Sequence, residues 1–234
     1  MDDDARGPVA RRAADELAGL VGVVEALLAE RGGCEWNRAQ TPESLVPYLV
    51  EESFELVEAI EVGSAADRRE ELGDVLYQVV LHAALAARED QAAFDLADVV
   101  RDVAEKAVRR HPHVFGGETA DDLGDVVRLW SEAKRVEKSS RRSAYDGIAV
   151  GLPALARAAK IDDRRAAAGH LPVGDALASR AADGELAWGR SVLAAMDAAM
   201  DAAGPEGIDA ERAVRRAVRE RETALRATEN GTTG

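Results

Sequence analysis

Apolar side chains recur with a helical period over residues 42–61. Leu45, Leu49, Leu56 and Ile60 share one side, with Val46, Val50, Phe54 and Val57 beside them. At roughly 100° per residue this is an amphipathic helix. Thr41 is placed to cap it, Pro42 to open its first turn and Gly63 to end it. The next periodic segment, from about 66 to 88, has another character. Leu72, Val75, Leu76, Tyr77, Val79, Val80, Leu81 and Leu85 nearly encircle it, which predicts a buried helix. One narrow polar stripe breaks the ring: Glu71, Asp74, Gln78 and His82.

The same reading predicts helices over about 8–31, 95–111, 121–138, 152–168, 175–203 and 209–228. Asp95 is a capping residue and Pro112 a stop. Residues 32–41 and 111–118 read as loops. The expected fold class is therefore all-α. A first helical domain spans 8–138, a polar linker 139–151, a second helical region 152–228 and a frayed tail 229–234. A slide of 114 positions lays Glu71-Leu72 on Glu185-Leu186 and Phe94-Asp95 on Ile208-Asp209. Alanine-rich helices match one another easily, so this register fits either an internal repeat or chance.

Composition narrows the function. The chain has 234 residues, 47% hydrophobic, and a formal net charge of −14. It can bury a core, and its charge repels nucleic-acid polymers. An anionic substrate then needs a bridging cation. The single cysteine, Cys34, excludes an intrachain disulfide framework and a thiolate zinc site. With no apolar run near a membrane span and no signal-like N-terminus, a cytoplasmic setting without membrane is expected.

Glu52 lies at the edge of the apolar arc of the 42–61 helix, Glu55 further round, and Glu51 and Glu58 on the polar side. Taken alone, that pattern is a solvated acidic face. The Glu71/Asp74 stripe on a helix expected to be dry changes the balance, because buried carboxylates are costly unless paired or bound to metal. The nearest partner surface in sequence is the equally acidic Glu52/Glu55 edge. A divalent cation resolves the repulsion, and all-oxygen ligands favour Mg²⁺, with Mn²⁺ as a substitute, over zinc. A di-iron bundle would want Glu-x-x-His, and Asp74 stands where that histidine would be.

Glu-Glu-x-x-Glu followed by Glu-x-x-Asp on an apolar helix resembles the signature of the MazG nucleoside triphosphate pyrophosphohydrolases. The blocks CEWNRAQTPESLVPYLVEESFELVEAI, EELGDVLYQVVLHAALA and KAVRRHPHVFG resemble that family's blocks, over about residues 15–138. The resemblance implies an all-α NTP pyrophosphatase bundle working as a homodimer or dimer-based oligomer. It implies Mg²⁺-dependent cleavage of (d)NTPs to monophosphate and pyrophosphate, in a nucleotide-pool sanitising role. By resemblance Glu52, Glu55, Glu71 and Asp74 are metal ligands and Glu51 positions or deprotonates water. Lys106 and Arg110 contact phosphate, and Trp130 and Lys134 lie near the nucleotide. Trp36 and Arg38 sit in the loop before the metal helix and line the base pocket or, for Trp36, plug the helix junction.

The second region departs from the pattern. At the 114-residue offset Glu52 meets Ala166, Glu55 meets Gly169, Asp74 meets Trp188 and Lys106 meets Glu220, leaving only Glu185 opposite Glu71. Residues 152–228 are expected to lack catalysis and to serve packing. Cys-Glu-Trp-Asn stands where relatives more often have Cys-Pro-Trp-Asp, which bears on substrate preference. Two rivals remain from the sequence: a narrow dCTP- or dUTP-type pyrophosphatase, and a nucleotide-binding regulatory protein without turnover.

Overall fold

The computed structural model describes residues 7–89, 93–141, 143–169, 184–203 and 208–231. Among them there is no strand. In chain order the helices are α1 (Pro8–Leu28), α2 (Glu35–Arg38), α3 (Pro42–Glu61), α4 (Ala65–Ala86), α5 (Leu96–Arg110), α6 (Pro112–Phe115) and α7 (Leu123–Glu137). After them come α8 (Ala154–Ala167), α9 (Gly184–Ala203) and α10 (Ala210–Gly231). The chain forms two compact units, residues 1–135 and 136–234. No described helix is long and apolar enough to cross a membrane.

The first unit is built around the α3–α4 hairpin. Capping fixes both of its starts. Ser44 N–H donates to Thr41 Oγ1 at 3.2 Å, and Thr41 N–H donates back to Ser44 Oγ at 2.9 Å. Likewise Asp67 N–H donates to Ser64 Oγ at 3.2 Å, while Ser64 N–H donates to Asp67 Oδ2 at 2.7 Å. Each such box satisfies donors that a helix start leaves open. The joint between the helices is short and tight at Gly63, where a Cβ would lie 2.8 Å from the Ala59 carbonyl oxygen. Inside α3 stands Pro47, which has no N–H to offer the Glu43 carbonyl.

α1 packs across α4. Val24 and Leu28 of α1, Leu45 of α3, and Val80 and Leu81 of α4 form a dry centre, ringed by Leu17, Leu20, Val21, Tyr77, Ala84, Leu85 and Leu96. Each such side chain, fully buried, contributes about 1.5–3 kcal/mol. The expectation that α4 is dry all round is corrected here. Its inner side is buried, but Leu72, Leu76 and Val79 are exposed, as are Val46, Val50 and Phe54 of α3. Among the described residues of this unit α1 packs on α4, and these side chains stay exposed. Two four-residue helices, α2 and α6, occupy segments expected as loops, and α1 stops at Leu28 rather than 31.

In the second unit α8 packs against α10. Leu155, Val192, Met196, Met200 and Val214 line a shared apolar gap. Asp209 Oδ1 accepts from Arg212 N–H at 2.9 Å, the same cap that Asp95 Oδ1 gives Asp98 N–H at 3.0 Å. The first nine residues of the expected 175–203 helix lie outside the described residues.

Candidate metal and nucleotide site

Glu52 and Glu55 are three residues apart on α3 and Glu71 stands on the facing helix, so the hairpin brings them to one spot. One carboxylate oxygen from each lies within 4.8 Å of the others, with Glu52 and Glu71 half-buried and Glu55 exposed. Burial, then the charges of Asp74 and Glu55, push the Glu52 carboxyl up from the ordinary glutamate value. Burial, then Glu55 and Asp74, push Glu71 up as well. Asp74 therefore belongs to the same electrostatic group, although it is exposed and stands outside the three-oxygen cluster. Acids that raise one another's pKa are acids whose charge is uncompensated. A hard divalent cation with oxygen ligands fits such a donor set.

Glu51 is exposed, one helical turn before Glu55. The stripe on α4 continues inward from Asp74 to Gln78 and His82. Gln78 Oε1 and His82 Nε2 are buried and have no hydrogen-bond partner among the described residues.

A second group forms between α5 and α7. The Arg110 guanidinium carbon lies 5.5 Å from the Trp130 ring centroid, and Lys134 Nζ lies 4.4 Å from it. Two cations thus share one aromatic partner, held there by ring electrostatics. Lys106 does not join them. It is exposed, in a shallow groove with Val99, Asp102, Val103, Glu105 and Arg109. Of the two cations expected at phosphate, Arg110 thus lies by the Trp130 ring and Lys106 in the groove. Nearby, His111 Nδ1 lies 2.6 Å from the Ala107 carbonyl oxygen, and the His111 and His113 rings are 5.7 Å apart.

The segment before α3 is braced rather than loose. Asn37 is buried, and its Oδ1 accepts from the Tyr77 hydroxyl at 3.2 Å. Arg38 Nη1 donates to the Glu30 carbonyl at 2.5 Å. Gln40 Nε2 donates to the Trp36 carbonyl at 3.0 Å, and its Oε1 accepts from Ser44 Oγ at 2.6 Å. Backbone and side-chain hydrogen bonds from Asn37 lower the Cys34 thiol pKa. Trp36 does not plug the junction; it is exposed and meets Tyr48 edge-on. Tyr48 was not singled out by the sequence, although its place one turn before Glu52 is a signal that could have found it.

Residues 40–115 match the MazG nucleotide pyrophosphohydrolase domain. That interval holds the acidic group with Lys106 and Arg110, and excludes Trp36, Arg38, Trp130 and Lys134. Over 152 residues the chain is 46% identical to an uncharacterized 26.1 kDa protein of Streptomyces cacaoi, covering 65% of this chain and 63% of that one. Over 151 residues it is 44% identical to the nucleoside triphosphate pyrophosphohydrolase/pyrophosphatase MazG of Thermotoga maritima, covering 64% and 56%. The nucleoside triphosphate pyrophosphohydrolase of Escherichia coli K12 is 36% identical over 157 residues, covering 66% and 59%. The chain thus spans less than two thirds of the length of each relative.

Proposed function

From the premise that this chain carries a MazG domain and so belongs to that family, we propose that it is a Mg²⁺-dependent nucleoside triphosphate pyrophosphohydrolase. It takes a (d)NTP and water to a monophosphate and pyrophosphate. The observation that carries this reading is the convergence of Glu52, Glu55 and Glu71 within 4.8 Å. With Asp74 they are the residues that would hold Mg²⁺ or Mn²⁺, which when bound neutralises polyphosphate charge and makes water more acidic.

The remaining roles fall to the chain's own side chains. Glu51 accepts the proton of the attacking water. The water oxygen joins phosphorus, the bond at the α–β bridge breaks, and pyrophosphate leaves with the electron pair. Arg110 and Lys134, gathered on Trp130, and Lys106 bind phosphate oxygens, where charge-assisted hydrogen bonds are strongest. Trp36 and Arg38 flank the base. The exposed apolar side chains of α3 and α4 support assembly as a homodimer. The second unit supports packing and takes no part in the chemistry. The biological task is removal of unwanted nucleotides from the pool.

The test is incubation of the purified chain with a panel of NTPs and dNTPs, with Mg²⁺ and with EDTA, resolving products by anion exchange. Monophosphate and pyrophosphate, lost in EDTA, are expected. Diphosphate and phosphate would mean another scission, and bound nucleotide without products would mean a regulatory protein.

A further inference from the structure

Asp74, Gln78 and His82 stand at i, i+4 and i+8 on α4. Asp74 is exposed and His82 half-buried, whereas Gln78 is only 5% exposed. Gln78 Oε1 and His82 Nε2 are sealed from solvent and have no hydrogen-bond partner among the described residues. A buried polar atom left unpaired is costly, so two of them one turn apart call for a shared partner. Only the oxygen arm of the Gln78 carboxamide is among these sealed atoms. The amide arm, on the other side of the same planar group, is a donor.

Helical geometry gives this row a direction. Long side chains on a helix lean toward its N-terminus, over the residues three and four places back. His82 therefore leans toward Gln78, and Gln78 toward Asp74. Cβ atoms at this spacing are about 5–6 Å apart, which suits one water between Gln78 Oε1 and His82 Nε2. Asp74 in turn needs a donor. It adds its charge to Glu52 and Glu71 yet stands outside the three-oxygen cluster, and carboxylates that bind a cation are themselves held by hydrogen bonds from outside the ligand set. One turn from Asp74 on α4 stand Glu70, Glu71, Tyr77 and Gln78. The two glutamates repel it, and the Tyr77 hydroxyl is given to Asn37. Of these four, Gln78 is the remaining donor.

We propose that Gln78 is a positioning residue for Asp74: a buried water shared with His82 fixes its carboxamide oxygen, while its amide donates to the Asp74 carboxylate and holds it toward Glu52 and Glu71. The inference rests on the proposed metal site. It adds to that site a residue that touches neither cation nor nucleotide, and explains why two polar side chains are kept in the interior of an otherwise apolar helix side.

The test measures Mn²⁺ affinity of the full chain without nucleotide, from the electron paramagnetic resonance of free Mn²⁺, with circular dichroism in EDTA as the check on folding. Gln78→Met keeps the length of the side chain and removes the amide. It should weaken Mn²⁺ binding about tenfold, as loss of a hydrogen bond to a ligating group does. His82→Phe keeps a ring and removes the far anchor of the water, and should weaken binding in the same direction by less. In an Asp74→Asn background, adding Gln78→Met should cost nothing further, because the two residues act as one unit. Undiminished affinity in either single variant would overturn the proposal. So would an equal loss with and without Asp74, which would mean a general effect on α4. If wild type binds Mn²⁺ but releases no pyrophosphate from nucleotides, the reaction assignment fails alone, and Gln78 is judged on affinity. If wild type binds no Mn²⁺, the proposal falls with the metal site.

Discussion

Removing the Tyr77 hydroxyl tests whether the base-side segment is held by one buried hydrogen bond. Tyr77→Phe keeps the ring that packs on the core and strips Asn37 Oδ1 of its donor. A buried acceptor left unpaired costs about 1–3 kcal/mol. The bond is 3.2 Å long, beyond the optimum of about 2.7–2.8 Å for O–H···O, and Tyr77 is only part-buried. Both facts place the loss at the low end, about 1 kcal/mol. With a urea slope of about 2 kcal/mol/M, the midpoint of the first unit's unfolding should fall by about 0.5 M. Asn37→Ala and the double variant complete a cycle, with an expected coupling of about 0.5–1 kcal/mol. The Cys34 thiol gives a second readout. Its pKa is lowered first by the Asn37 backbone and next by the Asn37 side chain. Asn37→Ala should therefore move it part of the way back, slowing alkylation at neutral pH. Additive energies in the cycle, together with unchanged thiol reactivity, would refute the brace.

Four further outcomes are expected. Wild type should gain melting temperature with Mn²⁺, and Glu71→Gln should lose that gain, abolish turnover and keep the helical circular dichroism. In EDTA, the folded state holds protons on Glu52 and Glu71 at pH values where the unfolded chain has released them, because both pKa values are raised. Metal-free stability should thus fall as pH climbs above the ordinary glutamate value of about 4.3, by an increment absent from the Glu52→Gln/Glu71→Gln double variant. Trp130→Ala removes the ring beneath Arg110 and Lys134, a contact worth about 0.5–1 kcal/mol at exposed sites, so KM for nucleotide should rise two- to fivefold. Glu185→Gln, at the acid retained in the second unit, should leave pyrophosphate release unchanged.

The long helices were legible because their signals are local. Thr41, Asp95 and Pro112 mark boundaries within one turn of where they fall, and the apolar phase of 42–61 names Leu45 as inward-facing. The nearness of Glu52, Glu55 and Glu71 was legible too, since two successive helices joined at Gly63 must be antiparallel neighbours. α2 was not legible, because four residues are too few to show a period. Nothing in the string CEWNRAQ says that Asn37 is buried and Trp36 exposed. That order follows from Tyr77, forty positions on, whose hydroxyl selects the asparagine. The exposure of Leu72, Leu76 and Val79 was misread for a related reason. Hydropathy records that a helix wants cover on all sides, whereas these three side chains stay exposed among the described residues.

Pro47 has a consequence for how α3 opens. With no amide hydrogen at that position, the turn before it is fastened to the rest of the helix less firmly than any turn after it, and rests on the Thr41–Ser44 box. Local opening of the chain proceeds in cooperative pieces, and this break defines one: the amides of residues 43–46 should exchange while the turns that carry Glu52 and Glu55 stay closed. In hydrogen exchange α3 should appear as two segments with different protection.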